Sequence, residues 1–128
     1  MGFKSVKVLI TTIGLCLGTA ASAENLVYFG TNASGHVAYY DADTIRRYSN
    51  NTVEVWSKQD ASKDKTVSWR TMRNKLRFDC SAETVGVLAS YNYRADGSLI
   101  DADVFEDPKI APIPPGSALR DVLKNLCP

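Results

Sequence analysis

From Val67 to Cys80 the side chains alternate. Met72, Leu76, Phe78 and Cys80 are apolar at even positions, against Arg73, Lys75 and Arg77 at odd ones. A period of two buries one face only when the backbone is extended, so this stretch must be a strand with one side covered. The same period recurs along the chain. Val53 and Val55 oppose Glu54 and Lys58, and Ile100, Ala102 and Val104 oppose Asp101 and Asp103. Val85, Val87, Ala89, Tyr91 and Tyr93 share one side of residues 84–93. Residues 25–30 and 37–40 predict two earlier strands, and residues 41–48 a turn with a short third segment. Turn formers separate these pieces at Thr31 to Gly35, at Ser49-Asn50-Asn51 and at Asp96-Gly97.

Three segments break the pattern. Gln59 to Lys65 is polar and predicts a loop. Asp107 to Pro115 holds four prolines and predicts an ordered linker rather than a strand. After Ser117, a good N-cap, Leu119, Val122, Leu123 and Leu126 recur at helical spacing and give one apolar stripe. Strands in series closed by one helix predict an α+β fold: a small antiparallel β-sheet with a C-terminal α-helix packed on one face.

The first 23 residues stand outside that pattern. Lys4 and Lys7 precede an apolar run, Val8 to Gly18, and Ala21-Ser22-Ala23 supplies the small residues a signal peptidase needs. The run is shorter than the roughly 20 residues of a membrane-spanning helix. We therefore divide the chain into a cleavable signal peptide, 1–23, and a single domain, 24–128. Cys16 follows a bulky Leu15 where a lipoprotein signal needs a small residue, so it reads as part of the apolar run. The domain keeps no span, and its expected place is outside the cytoplasm.

The signal takes two lysines and no acid, leaving 13 basic side chains against 14 acidic ones and a net charge of −1. A neutral balance gives no general argument for nucleic acid or an anionic membrane. Cys80 and Cys127 are the cysteines that remain, and in an exported chain a lone pair is most simply a disulfide. Cys80 lies on the apolar side of its strand and Cys127 beside the helical stripe, so the bond would clamp helix to sheet.

The residues suggest no enzyme. His36 is the sole histidine, and joining it to Ser34 and Asp41 as a hydrolase set needs a fold to unite them; an exposed loop histidine is the simpler reading. With both cysteines paired, neither a thiol nucleophile nor a zinc site is expected. Asp41/Asp43 and Asp101/Asp103 fall short of a calcium loop, and no glycine-rich phosphate loop occurs, so no metal or cofactor is expected. The strongest local signal is Arg73, Lys75 and Arg77, which on a strand form a positive row about 13 Å long. Parity puts Trp69 on that side as an apolar anchor, and Trp56 beside Glu54. The row is either a solvated sheet face or a binding surface for an acidic partner or a sulfated glycan.

Several stretches together resemble the surface-adhesin protein E-like family of Gram-negative bacteria. They are Val37-Ala38-Tyr39-Tyr40-Asp41 with Thr44-Ile45-Arg46, then Val53-Glu54-Val55-Trp56, Phe78-Asp79-Cys80, Tyr91 before a Gly97 turn, Pro115-Gly116-Ser117, and Cys127. The resemblance implies a small antiparallel sheet with a disulfide-tied C-terminal helix. It implies a non-enzymatic module that binds host matrix proteins or cells. The alternative is a periplasmic accessory or inhibitor protein of the envelope. The namesake members are lipidated and displayed outside; Leu15-Cys16 departs from that pattern. N-terminal sequencing and intact mass of the exported protein should give a chain starting at Glu24 and no lipid on Cys16; a diacylglycerol mass there would refute the processing proposed.

Overall fold

The alternation at residues 71–79 builds the strand on which the rest of the sheet is laid. The computed structural model of the chain describes residues 24–128; the segment expected to be a signal peptide, 1–23, and Cys16 with it, lie outside them. The strands are β1 (Leu26–Thr31), β2 (Val37–Asp41), β3 (Arg46–Arg47), β4 (Thr52–Asp60), β5 (Thr71–Asp79), β6 (Thr84–Tyr93), β7 (Leu99–Val104) and β8 (Ile110–Pro112). A 3₁₀ turn, Ala42–Thr44, follows β2, and helix α1 (Ala118–Leu126) closes the chain.

All eight strands form one sheet with antiparallel pairing, in the order β1-β2-β4-β5-β6-β7. β3 adds to β4, and β8 adds to β6. The sheet is thus larger than the small one expected, and part of the reason is the proline-rich segment. Residues 110–112 are not a linker but a strand, pairing Gly86 with Ile110, Val85 with Ala111 and Thr84 with Pro112. Pro112 lacks a backbone donor, which an edge strand tolerates. The polar loop also starts later than residue 59, because Gln59 and Asp60 still pair with Met72 and Thr71. Hairpin turns form at all three predicted places. Asn51 and Gly97 have φ of 64° and 88°, the left-handed conformation that Asn and Gly tolerate best.

The core lies between one sheet face and α1. Val53, Val55, Leu76 and Phe78 point inward with Tyr40 and Ile113, and meet Val122, Leu123 and Leu126 from the helix. Phe78 has no exposed surface and Leu126 almost none. Truncating either to alanine removes about 2–5 kcal/mol of packing. Ser117 caps α1 by accepting from the Arg120 N–H at 3.3 Å. The Gly30 backbone lets Ala118 come close: a Cβ there would lie 3.2 Å from the Ala118 Cβ. Arg47 donates to the Leu126 carbonyl at the other end of the helix.

Cys80 and Cys127 form a disulfide, with Cα atoms 5.8 Å apart. It joins the end of β5 to the residue after α1, across 47 positions of sequence. On the chain-entropy account a loop of that length stabilises by about 4 kcal/mol. Urea titration of a Cys80→Ala/Cys127→Ala double variant should show that loss, with α1 unfolding with or before the sheet; an unchanged midpoint would show that the helix needs no clamp.

Candidate functional site

Paired residues of an antiparallel sheet share a face, so the register states what covers the side away from α1. Three rows cross it. Tyr39, Lys58, Arg73 and Tyr91 form the first; Trp56, Lys75, Ala89 and Val104 the second; Arg46, Glu54, Arg77, Gly86 and Ile110 the third.

This arrangement departs from simple alternation at one place. The β5–β6 register shifts at Lys75/Leu76: Leu76 pairs with Val87, but Lys75 pairs with Ala89, so Leu88 is an extra residue. A bulge of this kind switches which side later residues face. Val85 and Val87 pack against the core. Ala89, Tyr91 and Tyr93 do not share their side as expected, and turn instead to the face that carries the basic row. Tyr91 there meets Trp56 edge to face, with centroids 5.8 Å apart at 61°.

The structure brings Arg73, Lys75 and Arg77 together on this face, and it pairs each of them. Glu54, which reads in sequence as a solvated residue, is only 5 % exposed. Its Oε2 accepts from Arg77 Nε and Nη2 at 3.0 and 2.9 Å. Its Oε1 accepts from the Tyr48 hydroxyl at 3.2 Å and lies 3.5 Å from Lys75 Nζ. Burial alone would push the Glu54 carboxyl up; the hydrogen bonds from Arg77 and Tyr48 and the two positive charges outweigh that and hold it below its ordinary value. Glu24 serves the other end, with Lys58 at 3.2 Å and Arg73 in contact. Its carboxyl too is lowered, the Arg73 and Lys58 bonds overcoming the upward push of burial. Two cations share each carboxylate, so each cluster retains a surplus positive charge.

Trp69 is elsewhere. It packs on His36, with centroids 5.0 Å apart, and lines a recess of about 340 Å³ with Ala61, Asp64, Val67 and Ala95; none of the three row cations lines it. Residues 67–70 are not part of the strand, so parity does not carry across them. Trp56 is the tryptophan beside the row. His36 is not an exposed loop residue either: its side chain is 11 % exposed, and Nε2 lies 2.7 Å from Asp64 Oδ2. Asn32 Oδ1 accepts from the backbone N–H of Ser34 and His36, so its amide nitrogen donates to His36 Nδ1 and leaves Nε2 to donate to Asp64. The hydroxyl and N–H of Thr66, and then His36, hold Asp64 down to about 2. The pair therefore ties the β1–β2 turn to the 61–70 loop. Asp41, its imagined catalytic partner, instead caps the 3₁₀ turn by accepting from the Asp43 N–H. Asp101 accepts from Asn92 at 2.7 Å.

The profile of the family described as Surface-adhesin protein E matches residues 26–128. The chain belongs to the surface-adhesin protein E family. Among solved structures, the selenomethionine form of Haemophilus influenzae protein E has the same fold, with a TM-score of 0.60 at 12 % identity over 82 % of this chain and 87 % of that one. A second crystal form of Haemophilus influenzae protein E gives 0.57 at 11 % over 82 % and 88 %. No curated protein matches in sequence. This surface-adhesin E chain has, among its described residues, no helix long and apolar enough to cross a membrane.

Of the residues on this face, Glu54, Glu24 and Tyr91 escaped the sequence. Nothing local marks a carboxylate as buried, because the cations that bury it come from another strand.

Replacing Glu54 by Gln should cost about 1–3 kcal/mol at neutral pH; Lys75 and Arg77 are partly open to solvent, which screens their share and keeps the loss toward the low end. The sign with pH follows from the lowered carboxyl. Its stabilisation is present above the unfolded value near 4.3 and is lost as pH falls through the lower folded value. Stability measured from pH 7 to 2 should therefore fall less steeply below about pH 4.3 for the variant than for the parent; parallel curves would show that Glu54 is not held ionised by the row.

Proposed function

We propose that this protein is an exported, non-enzymatic binding module that grips a protein partner with the sheet face opposite α1, the partner being a host extracellular-matrix protein. Family membership supports the adhesive part of this reading. The observation that carries the site is the groove beside Trp56. It has a volume of about 370 Å³, and Trp56, Lys75, Arg77, Tyr91, Val104 and Phe105 line it. Val104 is 72 % exposed, and Phe105 beside it is open too. An apolar strip of this kind rimmed by charge marks an interaction surface. Tryptophan, tyrosine and arginine are the residue types that dominate interface energy. The surplus positive charge of the Glu54 cluster favours an acidic partner.

Trp56 thus takes the anchoring role first given to Trp69, and Arg73, Lys75 and Arg77 stay as the polar rim. A periplasmic accessory protein or enzyme inhibitor is the second reading, and Leu15 before Cys16 favours it. Surface labelling of intact cells separates the two.

Reversing the charge of Arg77 would remove two hydrogen bonds from buried Glu54 and set a like charge against it, so milder changes make the better test. Val104→Asp and Lys75→Gln should each keep the fold by circular dichroism and melting. Val104→Asp should weaken capture of immobilised matrix proteins about tenfold or more. Lys75→Gln should act on association rate, and more at low salt than at high. Unchanged capture by both folded variants would overturn the assignment of this face.

A further inference from the structure

At the Arg73 end of the same face lies a recess of different character. Asp41, Thr44, Trp56, Arg73, Tyr91 and Tyr93 line about 360 Å³. Three of the six are aromatic, and Trp56 and Tyr91 meet at an angle, so they form a corner rather than a flat platform. Tyr93 extends that corner by two residues along β6.

The polar groups are not all free. The Thr44 hydroxyl is spent, donating to the Asp41 carbonyl at 2.7 Å and accepting from the Trp56 N–H at 2.9 Å. One Asp41 oxygen accepts from the Asn25 and Asp43 N–H groups. Its second oxygen holds no partner among the described residues. Arg73 gives one guanidinium nitrogen to Glu24 and keeps the rest of its fork.

The spacing of the remaining charges is set by the strands. Tyr40 pairs with Ser57, so Asp41, one residue on, lies at the level of Trp56 on the β2 side; Arg73 stands on β5, beyond β4. Two strand spacings across, about 10 Å, and two residues along, about 7 Å, put their backbones about 12 Å apart, with the indole between. A simple cation would meet the guanidinium, a simple anion would meet the carboxylate, and a neutral apolar group would leave both unserved. A short zwitterion with an apolar cation serves every group. Quaternary ammonium ions are bound by the faces of Trp and Tyr, and a guanidinium fork suits a phosphate.

We propose that this pocket binds the phosphocholine group, with the trimethylammonium in the corner of Trp56, Tyr91 and Tyr93 beside Asp41 and the phosphate on Arg73. This goes beyond the protein-partner reading: the two sites share Trp56 and Tyr91, but Val104 and Lys75 line only the groove, and Asp41, Arg73 and Tyr93 only this pocket. The group could come from a lipid headgroup or from a soluble or glycan-borne choline phosphate; the chemistry recognised is the same.

The test is a titration of the processed protein with free phosphocholine, choline chloride and inorganic phosphate, followed by calorimetry and by the fluorescence of a Trp69→Phe variant, in which Trp56 is the remaining tryptophan of the domain. Phosphocholine should bind saturably and perturb Trp56, at least about tenfold tighter than either fragment. Trp56→Ala, Tyr93→Ala and Arg73→Gln should each weaken it about tenfold or more, with folds checked by circular dichroism. Val104→Asp should leave it unchanged, which keeps this result separate from protein capture. Sedimentation with phosphatidylcholine vesicles identifies the source: binding lost in Trp56→Ala supports a lipid headgroup, and binding of free phosphocholine alone supports a soluble or glycan-borne one. No saturable binding, fragments as tight as the whole, or folded variants that bind unchanged would overturn the proposal.

Discussion

Everything in this domain depends on fastening a nine-residue helix to a sheet. A helix of that length is marginal alone, because nucleation fixes several residues before hydrogen bonds compensate. Its order comes from burial of Val122, Leu123 and Leu126 against Val55, Leu76 and Phe78, and from the covalent tie between Cys80 and Cys127. The two act at the same place, since Cys80 directly follows the strand that carries Phe78. The helix covers one face of the sheet, and among the described residues no second layer covers the other.

Most of the first face was legible from residues alone. Period two located the strands, the stripe from Leu119 to Leu126 located the helix, and the turn formers at Ser49-Asn50-Asn51 and Asp96-Gly97 fell where the chain reverses. What failed was what depends on register. The bulge at Leu88 has no residue signature, since leucine is an ordinary strand residue, yet it moves Tyr91 and Tyr93 to the opposite side from Val85 and Val87. Residues 110–112 became a strand because β7 stops pairing at Ala89 and leaves the start of β6 with an unused edge. A proline-rich segment can fill such an edge, and nothing in its own composition announces the vacancy.

The second face was legible as a list and not as an arrangement. Arg73, Lys75 and Arg77 do stand in a row, but a bare row of three like charges at strand spacing would repel. The structure resolves this by setting Glu54 opposite Arg77 and Glu24 beside Arg73. That pairing requires knowing that residues 54 and 77 are cross-strand partners, which follows only once the polar loop between β4 and β5 has been counted to its true ends. The loop's own order rests on His36 and Trp69, which hold it to the β1–β2 turn and so serve structure rather than the row.

The two faces would be independent if stability resided wholly in the core and recognition wholly in the open side. Trp56, Lys75, Tyr91 and Val104 meet that condition, since none belongs to the buried cluster. Glu54 does not. It is among the most buried polar residues of the described chain, it sits between Val53 and Val55 on a core strand, and it also anchors Lys75 and Arg77 on the recognition side. A buried carboxylate contributes little net stability compared with an apolar residue of its size, whereas losing its partners is costly. The arrangement is therefore better explained by what it fixes: two long cationic side chains, each rich in rotamer freedom, are held beside Trp56 before any partner arrives. Fixing them in the free protein lowers the entropy that binding must otherwise spend on ordering them. The same reasoning applies to Glu24 and Arg73 at the other end, where the first residue of the described chain orders the guanidinium that overlooks the aromatic corner. Binding by this face, as proposed, is thus coupled to folding through two carboxylates, and variation at the remaining positions of the face leaves the helix clasp behind it undisturbed.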